Sequence, residues 1–183
     1  MAAMAHDLLA AASVAGRTAV GLVFILAATQ KAMHWRILPG VIANYRLLPR
    51  WTAWAAAALL PPAEMILSIL LLSAQFRPWP ALVAIVLLAL FAAAMAINIR
   101  RGRGHIDCGC GESFLRQTLS WTLVLRNGLL MALLVPSLVM TAPMSMGLAL
   151  SGVAAGLSLF LLYLLLNILG ALPPVEARSH RFA

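Results

Sequence analysis

The sequence predicts an all-helical membrane protein, a bundle of about five transmembrane helices forming a single integral membrane domain over residues 1–183. Three observations predict it. The chain is 63% hydrophobic and only 10% charged, with a mean hydropathy of +0.98, whereas soluble domains are roughly half apolar and about a quarter charged. Apolar runs of about 20 residues, the length that crosses a hydrocarbon core of roughly 30 Å, follow one another along the whole chain. Short connections rich in proline and glycine separate them and leave no room for a soluble domain.

The first span is expected near 14–33. Arg17 lies near its start and Lys31 near its end, where both side chains are expected to snorkel to the interfaces. It is the weakest of the five, and a four-span alternative would lay it in the interface. Met1 to Asp7 has no basic n-region and no compelling cleavage site, so the N-terminus reads as uncleaved. Leu38-Pro39-Gly40 and Leu48-Pro49 break the chain before a second span near 54–73, which carries Pro61-Pro62 and is expected to kink there. Arg77-Pro78-Trp79-Pro80 opens a third span near 80–99. The fourth is expected near 119–139 and the fifth, containing the small-residue pair Gly152 and Gly156, near 146–169. Trp35, Trp51, Trp54, Trp79 and Trp121 fall near span ends, as interfacial anchors do.

The formal charge of +8 is distributed at span ends rather than along one soluble stripe, which argues for topology and against nucleic acid. With five spans, one side carries Lys31, Arg36, Arg46, Arg50, Arg100, Arg101, Arg103, Arg116, Arg178 and Arg181, and the other Arg17 and Arg77. By the positive-inside rule this bias puts the N-terminus outside and the loop between spans three and four on the cytoplasmic side of a cell (inner) membrane.

That third loop holds both cysteines of the chain, in the run Arg103-Gly104-His105-Ile106-Asp107-Cys108-Gly109-Cys110-Gly111-Glu112. Two cysteines two positions apart provide neither a disulfide framework nor a four-thiolate zinc site. Glycines flanking Cys110 permit the tight backbone that a Cys-x-Cys disulfide needs, and strain in so small a ring favours an exchangeable bond over a structural one. Arg103, His105 and the start of the fourth helix favour thiolate; Asp107 and Glu112 oppose it or take part in proton transfer. Cys108 and Cys110 are therefore the candidate catalytic pair of a thiol–disulfide oxidoreductase. Two other readings stay open: a soft-metal site, which two thiolates underfill without His105 or a partner protein, and an inert loop.

Inside the spans, Glu64 follows the double proline, and Arg126 with Asn127 lies about two turns into the fourth helix. Ionisable groups at such depths usually have a partner or a function. Glu64 and Arg126 enter from the cysteine side and are expected to meet, as a helix lock or as a proton-handling pair beneath the loop, with Gln30, Lys31 and Asn98 extending the network.

With these residues in hand, the chain resembles the methylamine utilisation protein MauE family, within the DoxX-like membrane proteins. The resemblance covers nearly the whole chain and rests on Gln30-Lys31, Tyr45-Arg46-Leu47-Leu48-Pro49, Pro61-Pro62-Ala63-Glu64, Asn98-Ile99-Arg100-Arg101-Gly102-Arg103, Ile106-Asp107-Cys108-Gly109-Cys110 and Leu125-Arg126-Asn127. The family pattern usually places an aromatic residue after the second cysteine, where this chain has Gly111-Glu112. The resemblance implies maturation of an exported, disulfide-rich client, the small (beta) subunit of methylamine dehydrogenase, together with a membrane-anchored, thioredoxin-like partner of the MauD type. A client outside and thiols inside would require an electron relay, with a quinone as one candidate cofactor, or movement of the bundle. A carrier or assembly subunit that binds a soft metal or docks a partner is the alternative function.

Overall fold

The computed structural model describes residues 2–73, 78–104, 106, 118–139 and 145–171, with the backbone alone described at 2, 3, 50, 170 and 171. Helices account for nearly all of them: α1 (Ala2–Met33), α2 (Leu38–Asn44), α3 (Arg50–Ser73), α4 (Trp79–Arg100), α5 (Trp121–Leu134), α6 (Pro136–Val139) and α7 (Met146–Ala171). Five stretches are long and apolar enough to cross a membrane: Met4–Met33, Trp51–Ser73, Trp79–Arg100, Trp121–Val139 and Met146–Leu169. The protein is a multi-pass helical membrane protein.

Helix α1 starts a dozen residues before the expected span. Its 32 residues extend about 48 Å, more than a hydrocarbon core requires. Neither glycine nor proline interrupts the stretch before Gly16, and its alanines propagate helix well. Arg17 consequently lies near the middle of α1 rather than at an end. Both Arg17 and Lys31 are buried, so the expected snorkelling does not occur. The reason is position: α1 is the central helix, covered by α3, α5, α6 and α7.

Two connections also differ from expectation. Leu38-Pro39-Gly40 opens the short helix α2, because a proline in the first turn gives up only an N–H that would have had no intrahelical partner. The fourth span divides at Val135-Pro136: Pro136 has no N–H, and Val135 N donates instead to Ala132 O at 3.2 Å, tightening the turn. Pro61 and Pro62, by contrast, lie within an uninterrupted α3.

The core joins Val20 and Phe24 of α1, Leu67 and Leu71 of α3, Ala81, Ala84 and Leu88 of α4, and Leu130 and Leu134 of α5. Gly152 and Gly156 let α7 lie directly on α1, where a Cβ on Gly156 would sit 2.7 Å from Ala15 O. On the other side of α1, Gly16 faces the backbone carbonyl of Leu133. Ser13 donates to Ser137 Oγ at 3.1 Å, tying α1 to α6. The outer faces are leucine-rich and exposed, as lipid contact requires, and all five tryptophans are exposed at or beside helix ends.

Candidate functional site

Lys31, in the last turn of α1, turns inward and donates from Nζ to both carboxylate oxygens of Glu64 on α3, at 2.8 Å each. The two side chains are 5% and 0% exposed. A charge stranded at this depth would be strongly unfavourable; paired and doubly hydrogen-bonded, both ions are accommodated. The ring of Phe91 on α4 lies 5.5 Å from Nζ and supplies its negative face. Three helices thus enclose one cation and one carboxylate. The pair clamps α1 to α3 and holds an ammonium in direct contact with a carboxylate at this end of the bundle.

Phe91 also links the pair to the third loop. It packs against a cluster formed by Met95, Ile106, Leu119 and Leu123, with Tyr45, Ile99 and Val124 around it. Ile106 and Leu119 are the flanks of the cysteine segment, and Leu119 N donates to Ile106 O at 3.1 Å. The loop therefore leaves and re-enters the bundle through a narrow, buried neck at the end where Lys31 and Glu64 meet.

The approach to the neck is fixed by the end of α4. Gly102 has φ of 72°, a left-handed conformation that glycine adopts without penalty. Gly102 N then donates to Ile99 O and Arg103 N to Asn98 O, both at 3.0 Å, the paired bonds of a Schellman cap. Asn98 is fully buried; its Nδ2 donates to Ala94 O at 3.0 Å and its Oδ1 accepts from Arg103 Nη1 at 3.4 Å. The Arg-Gly-Arg run is thus a helix stop followed by a side-chain tie.

The expected union of Glu64 with Arg126 does not form, because Lys31 reaches the carboxylate first along the α1–α3 contact. Arg126 Nη1 donates instead to Asn167 Oδ1 on α7 at 2.7 Å, and its guanidinium lies 5.4 Å from the Tyr163 ring. Asn127, one residue on, falls on the buried face of α5 with Leu123, Leu130 and Leu134. Cys108 and Cys110, with Asp107 and His105, lie outside the described residues. Sequence reasoning missed the Ile106–Leu119 neck and the Gly102 cap. The second had a signal, a glycine directly after a basic helix end.

The sequence profile of the methylamine utilisation protein MauE family matches residues 9–172. The chain belongs to the MauE family. It is 38% identical over 166 residues to the methylamine utilization protein MauE of Paracoccus denitrificans, covering 89% of each chain. It is 38% identical over 148 residues to the MauE protein of Methylorubrum extorquens, covering 78% of each. With the MauE protein of Methylophilus methylotrophus it shares 45% identity over 91 residues, covering 50% of this chain and 48% of that one. No solved structure gives a significant match. Membership ties the chain to methylamine utilisation, and the MauE match runs through the Lys31–Glu64 pair, the α4 cap and the cysteine loop alike.

Proposed function

We propose that this MauE protein is a membrane thiol–disulfide exchange protein that supports maturation of an exported, disulfide-rich client in methylamine utilisation. Cys108 and Cys110 cycle between dithiol and disulfide. One thiolate attacks a disulfide sulfur of a thioredoxin-like partner of the MauD type, releasing one partner thiolate. The second cysteine then displaces the mixed disulfide, so the loop leaves as a disulfide and the partner as a dithiol, with two electrons transferred. The reverse sequence reduces the loop. The client by this reading is the small subunit of methylamine dehydrogenase.

The observation that carries the reading is the buried neck: a loop with the chain's two thiols is closed by Ile106 and Leu119 at the end of the bundle where Lys31 and Glu64 pair. Thiol exchange releases and takes up protons, and a carboxylate with an ammonium in contact is a local store for them. In this role Glu64 relays a proton only in transit, its ion pair with Lys31 restored as the proton moves on, while Arg103, tied to Asn98, adds positive potential beside the loop that favours thiolate.

The test is trapping. In cells growing on methylamine, Cys110→Ser should accumulate a mixed disulfide through Cys108, or Cys108→Ser through Cys110, that resolves on reduction, and each single variant should lose methylamine-dependent growth while inserting normally. Absence of any mixed disulfide, with soft metal retained after purification and lost in the double serine variant, would favour the carrier reading instead.

A further inference from the structure

Arg126 of α5, like Arg17 of α1, is a charge inside the described spans that the proposed thiol chemistry does not use. It lies five residues into α5, about 7.5 Å along the axis from Trp121, at the same end of the bundle as the third loop. On α7 its partner Asn167 is four residues before the last helical residue, so both groups sit near that end of their helices. The surroundings contrast with those of Lys31, whose charge is met by a carboxylate. Among the described residues the ion pairs are His6–Asp7 and Lys31–Glu64, and neither involves Arg126. The guanidinium meets a neutral amide oxygen and an aromatic face.

A guanidinium has five N–H donors in a planar fork suited to two oxygens of an anion. One donor of Arg126 is committed to Asn167 Oδ1, and its Nε is buried with no hydrogen-bond partner among the described residues, which leaves the other Nη group to meet a ligand. The residue as a whole is half-buried, so part of its side chain is open to the outside of the bundle. The helix surfaces beside it are long and apolar: Leu125, Leu129, Leu162 and Leu166 are all at least 50% exposed. At that end of the bundle Arg100 stacks on exposed Trp121, with its Cζ 6.0 Å from the ring, adding positive potential and an interfacial anchor. A half-buried cation with no counter-charge among the described residues, a little below the interface and flanked by acyl-compatible surface, fits one occupant: a phosphate whose own tails cover the leucines.

We infer that Arg126, held by Asn167 and Tyr163 between α5 and α7, binds the phosphate of an anionic phospholipid. The uncommitted guanidinium N–H groups donate to the phosphate, Asn167 and Tyr163 fix the plane, and the acyl chains run along the exposed leucines. A lipid held here bridges α5 to α7, helices otherwise joined mainly through α1. A zwitterionic lipid presents the same phosphate with its own cation beside it and binds less well.

The experiment uses the full chain, delipidated in detergent and titrated with phosphatidylglycerol or phosphatidylcholine, with bound lipid counted by native mass spectrometry. The wild type is expected to bind one phosphatidylglycerol at least tenfold more tightly than phosphatidylcholine. Arg126→Gln should lose that preference, while Arg126→Lys and Asn167→Ala, which keep a cation but lose its planar donors or its orientation, should each keep part of it. Equal binding of the two lipids by the wild type, or an unchanged preference in Arg126→Gln, would overturn the site. Displacement of the lipid by millimolar inorganic phosphate would overturn the lipid as occupant in favour of a free anion. If Arg126→Gln fails to fold, Arg126→Lys and Asn167→Ala decide: loss of the preference in both overturns the proposal, and its retention supports it.

Discussion

Lys31 Nζ stands 2.8 Å from each carboxylate oxygen of Glu64, inside a bundle that leaves the two side chains 5% and 0% exposed. The pair predicts strong non-additivity. Glu64→Gln strands an ammonium and Lys31→Met strands a carboxylate, so each single change should destabilise the detergent-solubilised protein by about 1–3 kcal/mol, and the double variant by clearly less than the sum. Polar pairs in membranes average under about 1 kcal/mol, but few are this buried and doubly bonded. Glu64→Gln with Arg126→Gln should be additive within about 0.5 kcal/mol, since those residues have separate partners. Thermal unfolding of the three single variants and the two double variants measures both cycles. Coupling between Glu64 and Arg126 instead of Lys31 would contradict the geometry.

Packing of α7 on α1 predicts a second contrast, among glycines. A side chain on Gly156 would press on Ala15 O and on Thr18, both backbone-fixed or branched, so Gly156→Val should destabilise by about 1–3 kcal/mol. Gly128 and Gly147 have nothing within 4 Å of a built Cβ, and alanine there should be neutral or stabilise by up to about 1 kcal/mol through helix propensity. Thermal shifts in detergent read the difference. A benign Gly156→Val would mean that α7 does not lie against α1 at this point.

Much of this arrangement was legible in the sequence, and the exceptions share a cause. Apolar runs fixed the helices because a hydrocarbon solvent demands continuous apolarity, and Gly152 with Gly156 marked the close contact because only small residues allow one. The N-terminal extension of α1 was missed because hydropathy ends spans where charge begins, whereas helix ends where propensity fails, and Ala2–Ala12 continues to favour helix. The partner of Glu64 was misassigned because depth along each helix was readable and rotation was not. Lys31 stood at an expected interface, yet α1 proves central, so its side chain had a neighbouring acid to turn toward and no lipid face to leave by. The neck between Ile106 and Leu119 had no local signature: two apolar residues thirteen positions apart meet through packing on α4.

The end of α4 predicts a third effect. Because a Cβ at Gly102 meets nothing within 4 Å, any penalty there is purely the left-handed backbone at φ of 72°. Gly102→Ala should lose about 1 kcal/mol, Gly102→Val more, and Gly102→Asn least, since asparagine tolerates this region. If the cap aims the third loop, the same order should appear in the rate at which Cys108 and Cys110 react with a maleimide in the folded protein, which alkylation time courses would measure. Equal rates in all three variants would detach the cap from the loop.

The last prediction concerns which face of the membrane the thiols occupy. Ten lysines and arginines flank the side that holds the first and third loops and the C-terminal tail, against two on the other, and by the positive-inside rule that side is expected to face the cytoplasm. Arg17 weakens the count for the opposite side further: it is buried near the middle of α1 and is no interfacial charge at all, leaving Arg77 there alone. Lys31 on the other side is buried as well, so the excess among the remaining charges is nine to one. A membrane-impermeant maleimide should modify Cys108 and Cys110 in inverted inner-membrane vesicles and spare them in intact cells treated to open only the outer membrane. Labelling in intact cells, with none in inverted vesicles, would reverse the orientation and put the thiols on the same side as an exported client, removing the need for a transmembrane relay.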